Sequence, residues 1–169
     1  GMHEAERYGV RGILTHSEGA AGCMADGYAR ASGGPGVCMA QSIGSANMTG
    51  GIMDAWLATS PVVAITGKKL PQFQYKNAYQ EAPHHNMYQD LTKFNCEVTD
   101  TSEQFDFLMR QCFKEAVSGK PRPVHIDIIG RDAVETEACD MPQDMLPSQT
   151  EYAKFPPFRP MADAGLVQK

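Results

Sequence analysis

Glu18 is the residue of this chain best placed to do chemistry. The apolar run Gly12-Ile13-Leu14-Thr15 leads through His16 and Ser17 to this carboxylate, and a segment of small residues follows at once, from Gly19 to Gly33. A carboxylate between the end of a strand and the start of a helix lies at the carboxyl edge of an α/β sheet, where ligands bind. Acid–base work is open to it there. Two effects would tune it. A helix N-terminus favours the ionised form by about 0.3–1 kcal/mol, while full burial raises a carboxyl pKa by up to roughly 3–5 units. In a dry site burial wins; the plain alternative is a dipole partner in the first turn of a helix. Other groups attract less. Asp26 and Arg30, one turn apart, read as a helix-surface pair. Trp56, the one tryptophan, reads as core or subunit interface. No metal site is expected: the five cysteines are widely spaced and form no C-x-x-C pair.

The elements that must position Glu18 alternate regularly. Met2 to Tyr8 reads as a helix tail stopped by Gly9. Arg11 to Thr15 is expected as a strand and Glu18 to Ala31 as a helix ended by Gly33-Gly34-Pro35. Gly19, Gly22 and Gly27 lie inside that helix, each costing roughly 1 kcal/mol against alanine. Such a cost points to close approach by another backbone or a ligand. Further strands are expected at Val37–Ala40, Pro61–Thr66, Phe94–Val98 and Pro123–Ile128. Helices are expected at about Ala46 to Ala58, Met87 to Leu91 and Ser102 to Val117. The last carries Phe105, Leu108, Met109, Cys112, Phe113 and Ala116 at helical spacing. The alternation predicts an α/β fold: a Rossmann-like parallel sheet with helices on both faces and right-handed crossovers.

Composition sets the outer bounds. The chain has 169 residues, 42% of them hydrophobic, and a net charge of -5 with no basic cluster, so neither nucleic acid nor a membrane surface is an expected partner. No apolar run approaches the roughly 20 residues of a membrane span. Nothing at the start reads as a signal peptide, and the cysteine pattern suits a reduced, cytoplasmic setting. Residues 1–130 are expected as one domain. Residues 131–160, with five prolines and little periodicity, read as an inter-domain linker. Residues 161–169 read as the start of a further domain. A strand–helix unit would normally precede Met2, so the chain reads as cut from a longer polypeptide.

Five segments in register resemble one family: "HSEGAAGCMADGYARASGGPGV", "SANMTGGIMDAW", "SPVVAITG", "AYQEAP" and "SGKPRPVHIDI". They are similar to the pyrimidine-binding domain of thiamine-diphosphate enzymes, of the acetolactate synthase branch. The family's glutamate lies nine residues before the glycine of its "GYAR" segment; here that residue is Glu18, nine before Gly27. Two departures are visible. The loop Ser42-Ile43-Gly44-Ser45-Ala46-Asn47 is one residue shorter than the family's "SGPGATN" and lacks the proline. The histidine before the glutamate is replaced by Ser17, with His16 one step earlier.

The resemblance implies a catalytic role for Glu18. It would bond a ring nitrogen of the cofactor's aminopyrimidine and favour its imino tautomer. Ser42, Gly44, Asn47 and Gln80 would join it in binding thiamine diphosphate, and Tyr79 and Gln80 would line the substrate pocket. A helix cap is the plain reading of Asn47, a solvated loop amide that of Gln80, and a loop anchor that of Tyr79. His84 and His85 suggest proton transfer, since a histidine pair serves some decarboxylases of the family, but surface histidines are the better reading. Mg²⁺ is expected in a domain absent from this chain. The reaction implied is decarboxylation of a 2-keto acid followed by carboligation, with this chain inactive alone. The partners implied are a homodimer or higher assembly through the glycine-rich helix face and the diphosphate-binding domain of a second subunit. Two alternatives stand beside this reading: a small subunit of a split thiamine-diphosphate decarboxylase, and a non-catalytic α/β binding module.

Overall fold

The computed structural model describes residues 2–98, 102–129, 150–159, 161–162 and 165. Helix α1 spans Met2–Arg7 and stops at Gly9, whose φ of +81° suits glycine. Helix α2 spans Glu18–Ser32, strand β1 Gly36–Gln41, helix α3 Gly44–Ala58 and strand β2 Val62–Lys68. A single 3₁₀ turn, Pro71–Phe73, and helix α4, His84–Tyr88, lead to strand β3, Phe94–Val98. Helix α5, Ser102–Val117, and strand β4, Val124–Ile129, complete the sheet, and a second 3₁₀ turn spans Thr150–Ala153.

The four strands are all parallel, in the order β1-β2-β4-β3. This is the expected Rossmann-like α/β architecture, with two cores. On one face α2 and α3 cover the sheet, packing Ala29, Met48, Ile52 and Ala55 against Val62 and Ala64. On the other, Cys112 and Ala116 of α5 meet Val63, Val98, Val124 and Ile126, and the α5 stripe read from the sequence packs against the same cluster. The inner strand β2 therefore packs apolar residues on both sides, Val62 and Ala64 on one and Val63 on the other, as a covered parallel strand must. Strand β4 is apolar toward α5 and carries buried His125 and Asp127 on its other side. Strand β1 lies at the edge, and its second face stays open: Val37 is 47% and Met39 56% exposed.

Among the described residues four strands form where five are expected. Arg11–Thr15 joins no ladder among the described residues. A strand exists through its hydrogen-bonded neighbour. Here the apolar run finds neither a ladder nor a core: Ile13 is 56% and Leu14 89% exposed. Helix α3 starts two residues before the expected Ala46, and α4 lies three residues before the expected Met87–Leu91. Most of the proline-rich stretch 131–160 falls outside the described residues. The part within them, 150–159, packs back on the domain. Phe155 N–H donates to Gly33 O (2.9 Å), and the Lys114 ammonium sits 5.9 Å from the Tyr152 ring centroid. Of residues 161–169, expected to open a further domain, only 161, 162 and 165 are described.

Candidate functional site

Helix α2 ends just before β1 begins, so its N-terminus lies at the carboxyl edge of the sheet, beside the turn that leads from β1 into α3. Ser17 caps α2: its Oγ accepts from Ala20 N–H at 3.2 Å. Glu18 follows in the first turn, half-buried. Its Oε2 accepts from Asn47 Nδ2 at 3.3 Å. Its carboxyl group lies over Gly44, where an added Cβ would stand 2.8 Å from Oε1 and 3.0 Å from Cδ. A side chain at 44 would thus displace the Glu18 carboxyl group from where it lies. Oε1 has no hydrogen bond among the described residues.

The turn itself is bent against preference. Ser42 has φ of +53°, a region that costs an L-residue roughly 1–2 kcal/mol. It is 3% exposed, and its carbonyl accepts from Ser45 N–H (3.1 Å), Ser45 Oγ (2.6 Å) and His84 Nε2 (2.9 Å). So the structure brings Glu18, Gly44 and Asn47 together and joins Ser42 to them through the same turn. Tyr79 and Gln80 lie in the loop after β2. Tyr79 is 83% exposed, Gln80 has φ of +60°, and no hydrogen bond joins either to Glu18 or Asn47 among the described residues. Glu81 shapes that loop: its carboxylate accepts from Tyr75 N–H (2.5 Å) and Ala78 N–H (3.1 Å). The Tyr75 bond is the main cause of a carboxyl pKa held below the usual range. A cleft of about 540 Å³ opens beside the loop, lined among others by Lys68, Lys69, Gln74, Glu81, His85 and Glu97.

Two expectations need correction, on His84 and on Asp26, while the close backbone approach expected of the α2 glycines is met at Gly19 and Gly22. His84, read as a surface histidine, is buried at 1% exposure. Asp26, read as part of a surface pair, is 6% exposed, and its Arg30 partner reaches in from the surface with Nε at 3.0 Å. Gly19 and Gly22 face α3 of the same chain. An added Cβ at Gly22 would stand 3.0 Å from Met48 O, and at Gly19 3.3 Å from Asn47 O. Gly27 has nothing within 4 Å. Trp56 is half-buried and carries the Arg122 guanidinium 3.7 Å above its ring, a cation–π stack.

The sequence reading missed a polar network behind the turn. His84 Nδ1 lies 3.1 Å from Asp127 Oδ1, and Thr66 Oγ1 donates to the same oxygen at 2.7 Å. Thr66 Oγ1 also lies 2.7 Å from His125 Nε2, and His125 Nδ1 lies 2.7 Å from Asn95 Oδ1. Asn95 donates its amide hydrogen to His85 O (2.8 Å), which turns Oδ1 toward His125. Tyr88 stacks on His125 at 4.1 Å and donates to Ser45 O at 2.8 Å. Burial pushes the His125 pKa down to about 3, so this ring is neutral near pH 7. One signal was in the sequence: polar residues His125 and Asp127 inside the apolar strand Val124–Ile129. Ser45, His84 and Asp127 follow one another as hydroxyl, imidazole and carboxylate, the order of a nucleophilic triad. All three are fully or almost fully buried, and Ser45 Oγ donates to Ser42 O, so no substrate reaches the hydroxyl.

With this geometry in place, comparison with known proteins decides the family. Residues 2–90, over half the chain, match the model of the thiamine pyrophosphate enzyme N-terminal TPP binding domain. The chain belongs to this family. It is 34% identical over 145 residues to a probable acetolactate synthase large subunit of Methanocaldococcus jannaschii, covering 85% of this chain and 22% of that protein. It is 40% identical over 121 residues to the acetolactate synthase isozyme 2 large subunit of Escherichia coli, covering 71% and 22%. It is 40% identical over 120 residues to the chloroplastic acetolactate synthase 2 of Nicotiana tabacum, covering 70% and 18%. The chain spans about a fifth of the length of these curated relatives. Among the described residues, no group of three His, Cys, Asp or Glu side chains could hold a metal ion, and no helix is long and apolar enough to cross a membrane.

Proposed function

We propose that this chain supplies the pyrimidine-binding half of a thiamine-diphosphate-dependent, acetolactate-synthase-like enzyme that acts on a 2-keto acid. The observation that carries the reading is the Glu18 carboxyl group at the carboxyl edge of the sheet, laid over Gly44 with Oε1 free for a partner. An aminopyrimidine suits such a place: Glu18 Oε1 would serve a ring nitrogen, and the turn with Gly44 and Asn47 would help to hold the ring. Thiamine diphosphate, when bound, supplies the nucleophilic carbon and the electron sink that a side chain cannot. Glu18 holds or yields a proton at the ring nitrogen, and Asn47 orients the acid through Oε2. Gln80, in the loop after β2, contributes an amide toward cofactor and substrate, with Tyr79 beside it.

Glu18 is only half-buried in this chain. A second surface must therefore close over it to exclude water from the site. That surface is the diphosphate-binding domain of a second subunit, which also holds Mg²⁺. The chain alone then turns over nothing with pyruvate, Mg²⁺ and thiamine diphosphate. The test of Glu18 is Glu18→Gln in the assembled enzyme, read by exchange of the cofactor's thiazolium C2 proton. Cofactor binding stays within a few-fold, while exchange and turnover fall by roughly 10²–10⁴, the range of a lost acid–base group. Exchange at the wild-type rate would remove Glu18 from the mechanism.

A further inference from the structure

We propose that His84 is a positioning residue for Glu18, acting through the turn between β1 and α3. The inference rests on reading Glu18 as the cofactor contact, but the geometry behind it stands without a cofactor.

Two side chains hold this turn from behind, and both come from one short helix. His84 and Tyr88 lie one turn apart on α4, so both face α3. His84 Nε2 reaches Ser42 O and Ser45 Oγ, each at 2.9 Å; Tyr88 Oη donates to Ser45 O at 2.8 Å. Ser42 O only accepts, and Ser45 Oγ spends its hydrogen on that carbonyl at 2.6 Å. Nε2 must therefore carry a hydrogen. The orientation of the ring is set at its other end, where Nδ1 lies 3.1 Å from Asp127 Oδ1 on β4. The Asp127 oxygen is itself fixed by Thr66 of β2. The two central strands thus aim the imidazole, and the imidazole aims the turn.

The turn needs such a hold. Ser42 occupies the left-handed region, which an L-residue leaves when nothing retains it. Two residues on, Gly44 lies so close to Glu18 that even a Cβ would collide with Oε1, Cγ and Cδ at 2.8–3.0 Å. Asn47, in the first turn of α3, holds Oε2. A small movement of the turn must therefore move the carboxyl group or break its amide contact. His84 makes no hydrogen bond to Glu18 among the described residues; it acts through the Ser42 carbonyl and the Ser45 hydroxyl.

The test uses this chain and the assembled enzyme. His84→Leu keeps bulk and removes both bonds. His84→Gln keeps an N–H donor that can reach Ser42 O. In the chain, NMR resonances of the Gly44 backbone amide and the Asn47 side-chain amide report the turn directly. Both shift in His84→Leu and return toward wild-type positions in His84→Gln. In the assembled enzyme, C2 proton exchange falls about 10- to 100-fold in His84→Leu, the loss expected from misplacing a reacting group by about 1 Å. His84→Gln restores it to within a few-fold. Should the leucine variant not fold, Ser45→Ala removes the Oγ contacts to Ser42 O and His84 Nε2 without adding volume, leaves the His84 bond to Ser42 O, and shifts the same resonances by less. A folded His84→Leu or Ser45→Ala chain with Gly44 and Asn47 at wild-type positions overturns the inference, whatever its thermal stability. Shifted resonances with unchanged exchange uphold the positioning role and refute Glu18 as the cofactor's acid instead.

Discussion

Gly51→Ala should separate the two helices that carry the candidate site. An added Cβ at 51 would stand 2.5 Å from Cys23 N, 2.6 Å from Gly22 C and 2.8 Å from Gly22 Cα. Carbon contacts rest at about 3.5–4.0 Å, so α3 must retreat from α2 by roughly 1 Å. The obstacle is backbone, which cannot rotate away as a side chain would. Overpacking of this kind costs about 1–3 kcal/mol, occasionally more. With backbone contacts at 2.5–2.8 Å the upper end applies; the helix propensity of alanine offsets about 1 kcal/mol of it, leaving a net loss of about 2 kcal/mol. At this chain length each kcal/mol moves the melting temperature by about 2–4 °C, so a fall of roughly 4–8 °C is expected. Gly27→Ala is the matched control. It adds the same methyl inside α2 where nothing lies within 4 Å, and should raise stability by up to about 1 kcal/mol. Urea titration of both variants reads the difference as midpoints that move apart at constant slope. A Gly51→Ala chain as stable as wild type, or equal shifts for the two substitutions, would refute the backbone-tight packing of α2 on α3.

Two further outcomes follow from the same structure. The neutral, buried His125 makes stability depend on pH: below about 6.5 the unfolded chain gains a proton there that the folded chain refuses until about pH 3, so stability falls as pH drops through that window. Between pH 7 and 5 this one group accounts for a loss of about 2 kcal/mol. Urea titrations of wild type and His125→Asn at both pH values check it, and an unchanged pH slope in the variant would refute the assignment. The second outcome concerns assembly. Met24 and Tyr28 of α2 and Met53 and Leu57 of α3 are 47%, 61%, 42% and 71% exposed on the side away from the sheet, beside the open Gly27 and Gly50. We propose this apolar face as the subunit contact. Sedimentation should show self-association at high micromolar concentration that Tyr28→Asp with Leu57→Lys abolishes; a monomeric wild-type chain would count against it.

Much of the molecule was legible in the sequence because it depends on neighbours along the chain. The end of α2 at Gly33, the span of β3 and the apolar stripe of α5 are local matters of turn conformation, apolar pattern and helical period. The position of Glu18 at the head of α2 was likewise local, set by the change from apolar run to small residues. Tertiary structure decided the rest. The glycines of α2 announced a close approach, but only the packing showed that Gly19 and Gly22 spend it on α3 while Gly27 stays open. Arg11–Thr15 has the pattern of a strand and lacks a ladder, because pairing is a property of two segments and a pattern describes one. His84 is the clearest case. Nothing between Pro83 and Asn86 distinguishes a surface imidazole from a buried one. Its burial is set by Ser42 O, 42 positions before it in the chain, and by Asp127, 43 positions after it. A polar side chain goes inside only where partners wait for it, and folding alone brings those partners together.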